Sequence, residues 1–290
     1  MKSFSSKILQ WLKKYRAILG VIVIVLSLGF LTWYLITHPE IITNLLQTNP
    51  LVILALLVLY VLFVGLIFFI NLYTVRVCGK DLAVKPGIFL TIYSTVINFF
   101  GPLQSGPAVR AAYLKTKIGL KIRDYTMATL FYYFAYAAIN ASLLFISSWW
   151  ILTILGFIAS IAIIIIGAKL LHFQNQLKNI FALYLVAFTQ AIVMTAIYYT
   201  ELHATGTHSS LLHTVVYTAS ANLSLFVSLT PGGIGIREAF IVFTTSLHHI
   251  PLSSIISAGV LDRAFYVIFL TGLFLATSGL HLKKYLTKKS

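Results

Sequence analysis

Eight long apolar stretches alternate with short polar ones along the chain: 17–37, 51–75, 86–113, 125–146, 150–168, 180–200, 214–247 and 252–279. Six are continuous. At 1.5 Å per residue each can form a helix that crosses a hydrocarbon core of about 30 Å. The other two are interrupted. Gly101-Pro102 and Ser105-Gly106-Pro107 break 86–113, and Thr230-Pro231-Gly232-Gly233 and Gly235 break 214–247. Proline removes a backbone donor and clashes in a helix interior, and glycine adds backbone freedom. A broken backbone is tolerated at membrane depth only where protein or a wet cavity surrounds it. The pattern therefore predicts two re-entrant hairpins, each made of two half-helices. The expected fold class is all-α: a polytopic membrane protein with six full transmembrane helices and two opposed hairpins, forming one membrane domain over 1–290.

Composition removes the soluble alternative. Apolar residues make up 59% of the chain and charged residues 9%, against about 25% charged in a soluble domain. The single cysteine, Cys78, excludes an intramolecular disulfide and any multi-cysteine metal site. The first apolar run follows Lys2, Lys7, Lys13, Lys14 and Arg16. It is longer than a signal-peptide core and is expected to stay as the first transmembrane helix.

Charge sets the expected topology. All but two of the 21 Lys and Arg residues fall before residue 17, in 76–85, in 110–123, in 169–178 or in the tail from Lys283. The connections 38–50, 147–149, 201–213 and 248–251 contain none. By the positive-inside rule, both termini then lie in the cytoplasm of a cell-membrane protein. The segment 86–113 enters and leaves on the cytoplasmic side, and 214–247 dips in from outside. The net charge of +15 is accounted for by this bias and by anionic lipid headgroups, so no nucleic acid is expected as a partner. Only Arg237 and Arg263 fall at membrane depth.

The chain also repeats itself. A shift of 127 residues carries Gly106 onto Gly233, Arg110 onto Arg237, Ala112 onto Ala239 and Tyr113 onto Phe240. The same shift overlays most of the apolar segments. One repeat is expected over about 17–146 and the other over about 150–279, inverted with respect to each other. Interrupted helices at matching places in inverted repeats mark a transporter-type site near the midplane.

A half-helix opened near Gly233 or Gly235 would present unpaired amides and a positive dipole end, which favour an anion. Arg237 lies in its first turn, and Arg110 is the counterpart. Guanidinium forks hold phosphate oxygens in pairs. The alternative is that the glycines and prolines only permit close packing and that Arg110 is a boundary charge. Arg263, near the centre of its span, must face protein or water. Glu238 is a candidate partner for it, and Tyr266 shares its helix face while Asp262 does not. Asn98 and Asn222 are expected to satisfy backbone groups. His203, His208 and His213 recur every five residues, with His248 and His249 nearby; this spacing suits a solvated loop better than a metal site. Trp149-Trp150 suits an interfacial belt. Tyr132, Tyr133 and Tyr136 are core residues or line a polar path. The six acids form no D-x-D pair, no hydrolytic triad is visible, and Gly233-x-Gly235 lacks the strand and third glycine of a dinucleotide fingerprint. No enzyme activity, cofactor or metal is expected.

The run Thr230-Pro231-Gly232-Gly233-Ile234-Gly235-Ile236-Arg237-Glu238-Ala239 resembles the hallmark of the lysylphosphatidylglycerol synthase transmembrane-region family, which consists of flippase-like membrane proteins. Gly106 with Arg110 and Tyr113, and Leu261 with Arg263 and Tyr266, extend the resemblance to essentially the whole chain. It implies movement or handling of lipids with phosphate-bearing or charged headgroups, either anionic lipids or polyprenyl-phosphate-linked intermediates. Pro231, Gly232, Gly233, Arg237 and Glu238 take the family's motif positions. Two departures weaken the first half as a charged site. Pro107 stands where many members have an acid, and Phe131, Tyr132 and Tyr133 stand where many have an acid–arginine pair. The resemblance does not extend to the cytosolic aminoacyl-transferase domain of the full synthases, so lysyl-lipid synthesis is not expected. The leading expectation is a lipid translocase whose substrate-binding residues are Arg110, Pro231, Gly232, Gly233, Gly235, Arg237, Glu238 and Arg263. The alternatives are an integral-membrane lipid or glycosyl transferase, and a non-transporting accessory subunit that partners a lipid-modifying enzyme.

Overall fold

The computed structural model describes residues 48–100, 105–227 and 236–287, with Ile36 and Pro39. Apart from those two, the described residues belong to one of the chain's two compact units, Thr48–Ser290. The first apolar segment, 17–37 apart from Ile36, the Gly101-Pro102 break and the positions Pro231, Gly232, Gly233 and Gly235 lie outside the described residues, as does the side chain of Glu238.

Among the described residues the fold is all-α, with ten α-helices. They are α1 (Pro50–Val77), α2 (Val84–Phe100), α3 (Gly106–Ile118), α4 (Ile122–Leu143), α5 (Trp150–Leu170), α6 (Leu177–Ala204), α7 (Leu211–Ser224), α8 (Ile236–Phe243), α9 (Thr245–His248) and α10 (Leu252–Thr287). Among the described residues four stretches are long and apolar enough to cross a membrane: Pro50–Val77, Trp150–Leu170, Gln174–Ala204 and Leu252–Ser278. They coincide with four of the six expected spans. The protein is a multi-pass membrane protein. Of the remaining two, 17–37 is not described apart from Ile36. The other became α4, which at 22 residues is long enough to span but is rich in tyrosine and other polar groups. It supplies the core instead: Ala128, Ala135 and Ile139 are almost completely buried.

Local signals place the helix ends. Pro50 opens α1, where its missing N–H costs nothing, and Asn49 Oδ1 accepts from Leu51 N at 2.9 Å. Gly119, at φ 64°, closes α3 in the left-handed conformation that a Cβ disfavours. In the sequence, glycines and prolines separate the described helices of each interrupted segment. Each yields two packed helices, α2 with α3 and α7 with α8. Gly106 lets the first pair close up: a Cβ there would lie 2.7 Å from Asn98 Cβ and 2.8 Å from the Ser94 carbonyl oxygen. The Gly106 N–H donates to Asn98 Oδ1 at 3.1 Å, so Asn98 satisfies backbone as expected. Asn222 does not. It donates to the side chain of Asn140 at 2.9 Å and ties α7 to α4.

The long helices α1 and α6 pack along each other, and α4 joins them. The core formed by α1, α4, α5 and α6 includes Ile70, Phe131, Ile164, Leu183 and Ala187. A second cluster joins α6, α7, α8 and α10 through Leu202, Tyr217, Ile241 and Ala258. Outward faces are as apolar as the core: Leu54, Val58 and Val61 on α1 and Ile151, Leu155 and Ile158 on α5 are exposed. Such faces are stable in contact with lipid, not water.

A buried arginine–carboxylate cluster

Helices α1, α6, α8 and α10 converge on one polar cluster inside the apolar core. Arg237 stands on the second residue of α8 and is 7% exposed. Its Nη1 donates to Asp262 Oδ2 of α10 at 2.6 Å, and its guanidinium carbon lies 5.1 Å from the centre of the Tyr198 ring of α6. Buried charges persist where a partner and hydrogen bonds replace water, and Asp262 supplies both. The replacement is partial. Nε and Nη2 of Arg237 are buried and have no hydrogen-bond partner. A guanidinium has five N–H donors in a fixed fork; one edge is engaged and the other is vacant of any acceptor among the described residues.

The remaining members surround this pair. Tyr60 of α1 donates from Oη to Glu201 Oε1 of α6 at 2.9 Å, and Asp262 Oδ1 lies 3.4 Å from the same hydroxyl. Glu201 is completely buried. Tyr266 of α10 packs against Tyr60 with ring centroids 5.2 Å apart. Arg263 is also buried on α10, beside Asp262 in the chain.

The expected site residues separate in space. Arg110 is half-buried on α3 and donates from Nη1 to Asn71 Oδ1 of α1 at 3.1 Å. Asn71 in turn donates to Thr91 of α2 at 2.8 Å. Among the described residues Arg110 and Arg237 have no hydrogen-bonding partner in common. Arg237 takes its acid from α10, a helix remote in sequence. One reading of the acids is corrected and one partner is added. Asp262, for which no partner was expected, pairs with Arg237. Glu201, expected in the outer connection 201–213, belongs to α6, which continues to Ala204 before Gly206 turns the chain at φ 78°. One more helical turn places it three residues after Tyr198, on the same inward face. Tyr60, Tyr198, Glu201 and Asp262 were therefore not among the expected site residues. A signal for Asp262 was present: an acid inside a span needs a partner as much as an arginine does.

Tyrosines continue from the cluster in both directions. Tyr198 meets Tyr217 at 5.4 Å between centroids, and Tyr217 meets His248 at 5.6 Å. On α4, Tyr132 stacks on Tyr136 at 5.8 Å and donates to Gln190 Oε1 at 2.7 Å. All four tyrosines are buried in the core. The histidines form no metal-binding group among the described residues. His203 and His208 contact each other, as do His213 and His249. His248 is different: its Nδ1 accepts from Ile250 N at 3.1 Å and its Nε2 lies 2.9 Å from the Ile241 carbonyl oxygen. These bonds define the neutral Nε2–H tautomer, and burial lowers the pKa of His248 below the usual histidine value.

Fold and cluster define a multi-pass membrane protein with a charged, desolvated site between its helices. The family model described as "Lysylphosphatidylglycerol synthase TM region" matches residues 17–273. The chain belongs to that family. A comparison with curated proteins finds no significant match.

Proposed function

We propose that the protein binds and translocates a membrane lipid through its anionic, phosphate-bearing headgroup, and that Arg237 is the headgroup contact. The observation that carries this reading is the half-used guanidinium. Its Nε and Nη2 are buried without an acceptor, while Asp262 holds the opposite edge. Leaving such donors unpaired in a low-dielectric interior is costly, and two oxygens of a phosphate fit that vacant edge. The Pro-Gly-Gly run just before Arg237 and membership of the family support the same reading. Two opposed re-entrant hairpins in an inverted repeat, with both termini cytoplasmic, are the architecture we infer for this movement. No catalytic chemistry is invoked; the partners are anionic or polyprenyl-phosphate-linked lipids, with a lipid-modifying enzyme as the natural supplier or consumer.

Mass spectrometry of co-purified lipids is expected to find anionic headgroups that Arg237→Lys loses. Lysine keeps a charge opposite Asp262 but cannot present two parallel N–H groups. A charge-assisted contact contributes about 1.5–3 kcal/mol, so Arg237→Ala is expected to weaken headgroup binding by roughly 10- to 150-fold. Translocation in reconstituted vesicles should fall with it. Parent-rate translocation by a folded Arg237→Ala variant would refute the headgroup site and favour the accessory-subunit reading, in which Arg237–Asp262 is a structural ion pair.

A further inference from the structure

A second acid lies in the same cluster, and among the described residues no cation is bonded to it. Glu201 is completely buried. Its Oε1 accepts from Tyr60 Oη at 2.9 Å. Its Oε2 has no donor, and the Tyr60 hydroxyl that bonds Oε1 also lies 3.4 Å from Asp262 Oδ1, which brings the two carboxyls to one hydroxyl. Asp262 has the arginine, at 2.6 Å; Glu201 makes no salt bridge among the described residues. The groups around Glu201 are Tyr60 from α1, Arg237 from α8 and Asp262 from α10, with Tyr198 one turn back on its own helix. Tyr217 of α7 and Tyr136 of α4 reach the cluster through Tyr198. His203, two residues on, is bonded to the Tyr199 carbonyl, and Arg263 adjoins Asp262 on α10.

Two carboxyls this close cannot both be ionised in a site without water, since like charge and burial each disfavour the second negative charge. Arg237 is bonded to Asp262 and not to Glu201. Glu201 keeps its proton, which it can donate to Asp262 while accepting from Tyr60; one phenolic proton cannot serve both acids. In that state Arg237 and Asp262 neutralise each other and the vacant guanidinium edge can accept an anion. When Glu201 releases its proton to water, the cluster gains a negative charge next to that edge.

We propose that Glu201 is the proton-coupling group of this site: an anionic headgroup and a proton on Glu201 bind together and leave together. The proposal rests on the headgroup reading of Arg237. Linkage makes the effect reciprocal, so a bound anion must also strengthen proton binding at Glu201.

Two measurements on the full chain in detergent test it. Infrared difference spectra of parent minus Glu201→Gln at neutral pH are expected to show the C=O stretch of a protonated carboxyl. In the unmodified protein, short-chain phosphatidylglycerol should move the loss of that band to higher pH. Binding of the same lipid should weaken about ten-fold in the parent as pH rises through the loss of the band. Glu201→Gln, held in the neutral form, should keep the parent's low-pH affinity throughout. A missing band, or a Glu201→Gln variant with the parent's pH dependence, overturns the coupling alone. Undiminished binding by Arg237→Ala overturns the headgroup reading and the coupling with it.

Discussion

The two segments that contain the glycine and proline runs carry arginines at matching sequence positions in different surroundings. In the 127-residue register Arg110 matches Arg237, and Asn71, which bonds Arg110, matches Tyr198, whose ring lies under Arg237. The same register places Thr74 against Glu201 and Ala135 against Asp262. Thr74 and Ala135 are buried but uncharged. Each arginine thus meets a residue at the same position on the long helix before it, while among the described residues only the second is paired with a carboxylate. The first half holds its arginine by a neutral amide; the second builds a desolvated charge cluster. An arginine motif alone therefore does not define a site. The acids opposite it do, and they come from other helices.

This contrast can be broken by mutation. Asp262→Ala leaves Arg237 as an uncompensated buried charge and is expected to cost about 3–5 kcal/mol. Arg110→Ala removes one charge-assisted bond from a half-buried group, a loss of about 1.5–3 kcal/mol. Thermal melts in detergent should rank Asp262→Ala well below Arg110→Ala; equal losses would mean that the two halves are energetically alike. The double variant Arg237→Met/Asp262→Leu should recover most of the melting temperature, because apolar replacements remove both desolvated charges, yet it should not bind headgroups.

Smaller effects sharpen the picture at the periphery. His248 is held neutral by its two backbone contacts, and its lowered pKa favours the uncharged form in the folded state. Its contribution is therefore present above the unfolded histidine pKa of about 6.5 and is lost as pH falls below that value. His248→Ala should remove this acid sensitivity from the melting curve; unchanged sensitivity would place it elsewhere. Cys78, just beyond α1, donates its thiol to the Thr74 carbonyl oxygen at 3.3 Å. Burial and the nearby Asp124 carboxylate push the thiol up to about 12, so very little thiolate exists at neutral pH. Maleimide should label it far more slowly than a cysteine placed at Thr205. Comparable rates would show that the thiol is not shielded.

Membrane character, helical class and Arg237 as a charge at depth were legible in the sequence. Each follows from local chemistry: apolar run length and the cost of a charge at depth. Gly106 and Asn98 could be read for the same reason, since their contact spans eight residues of one broken segment. What the sequence could not decide was pairing. Asp262 is 25 residues from Arg237, and Glu201 is 141 residues from Tyr60. No local pattern encodes such distances. A helix exposes several faces, and which one turns inward depends on how α1, α6, α8 and α10 pack. That packing alone converts two acids on separate helices and one arginine after a break into a single buried cluster with a vacant guanidinium edge.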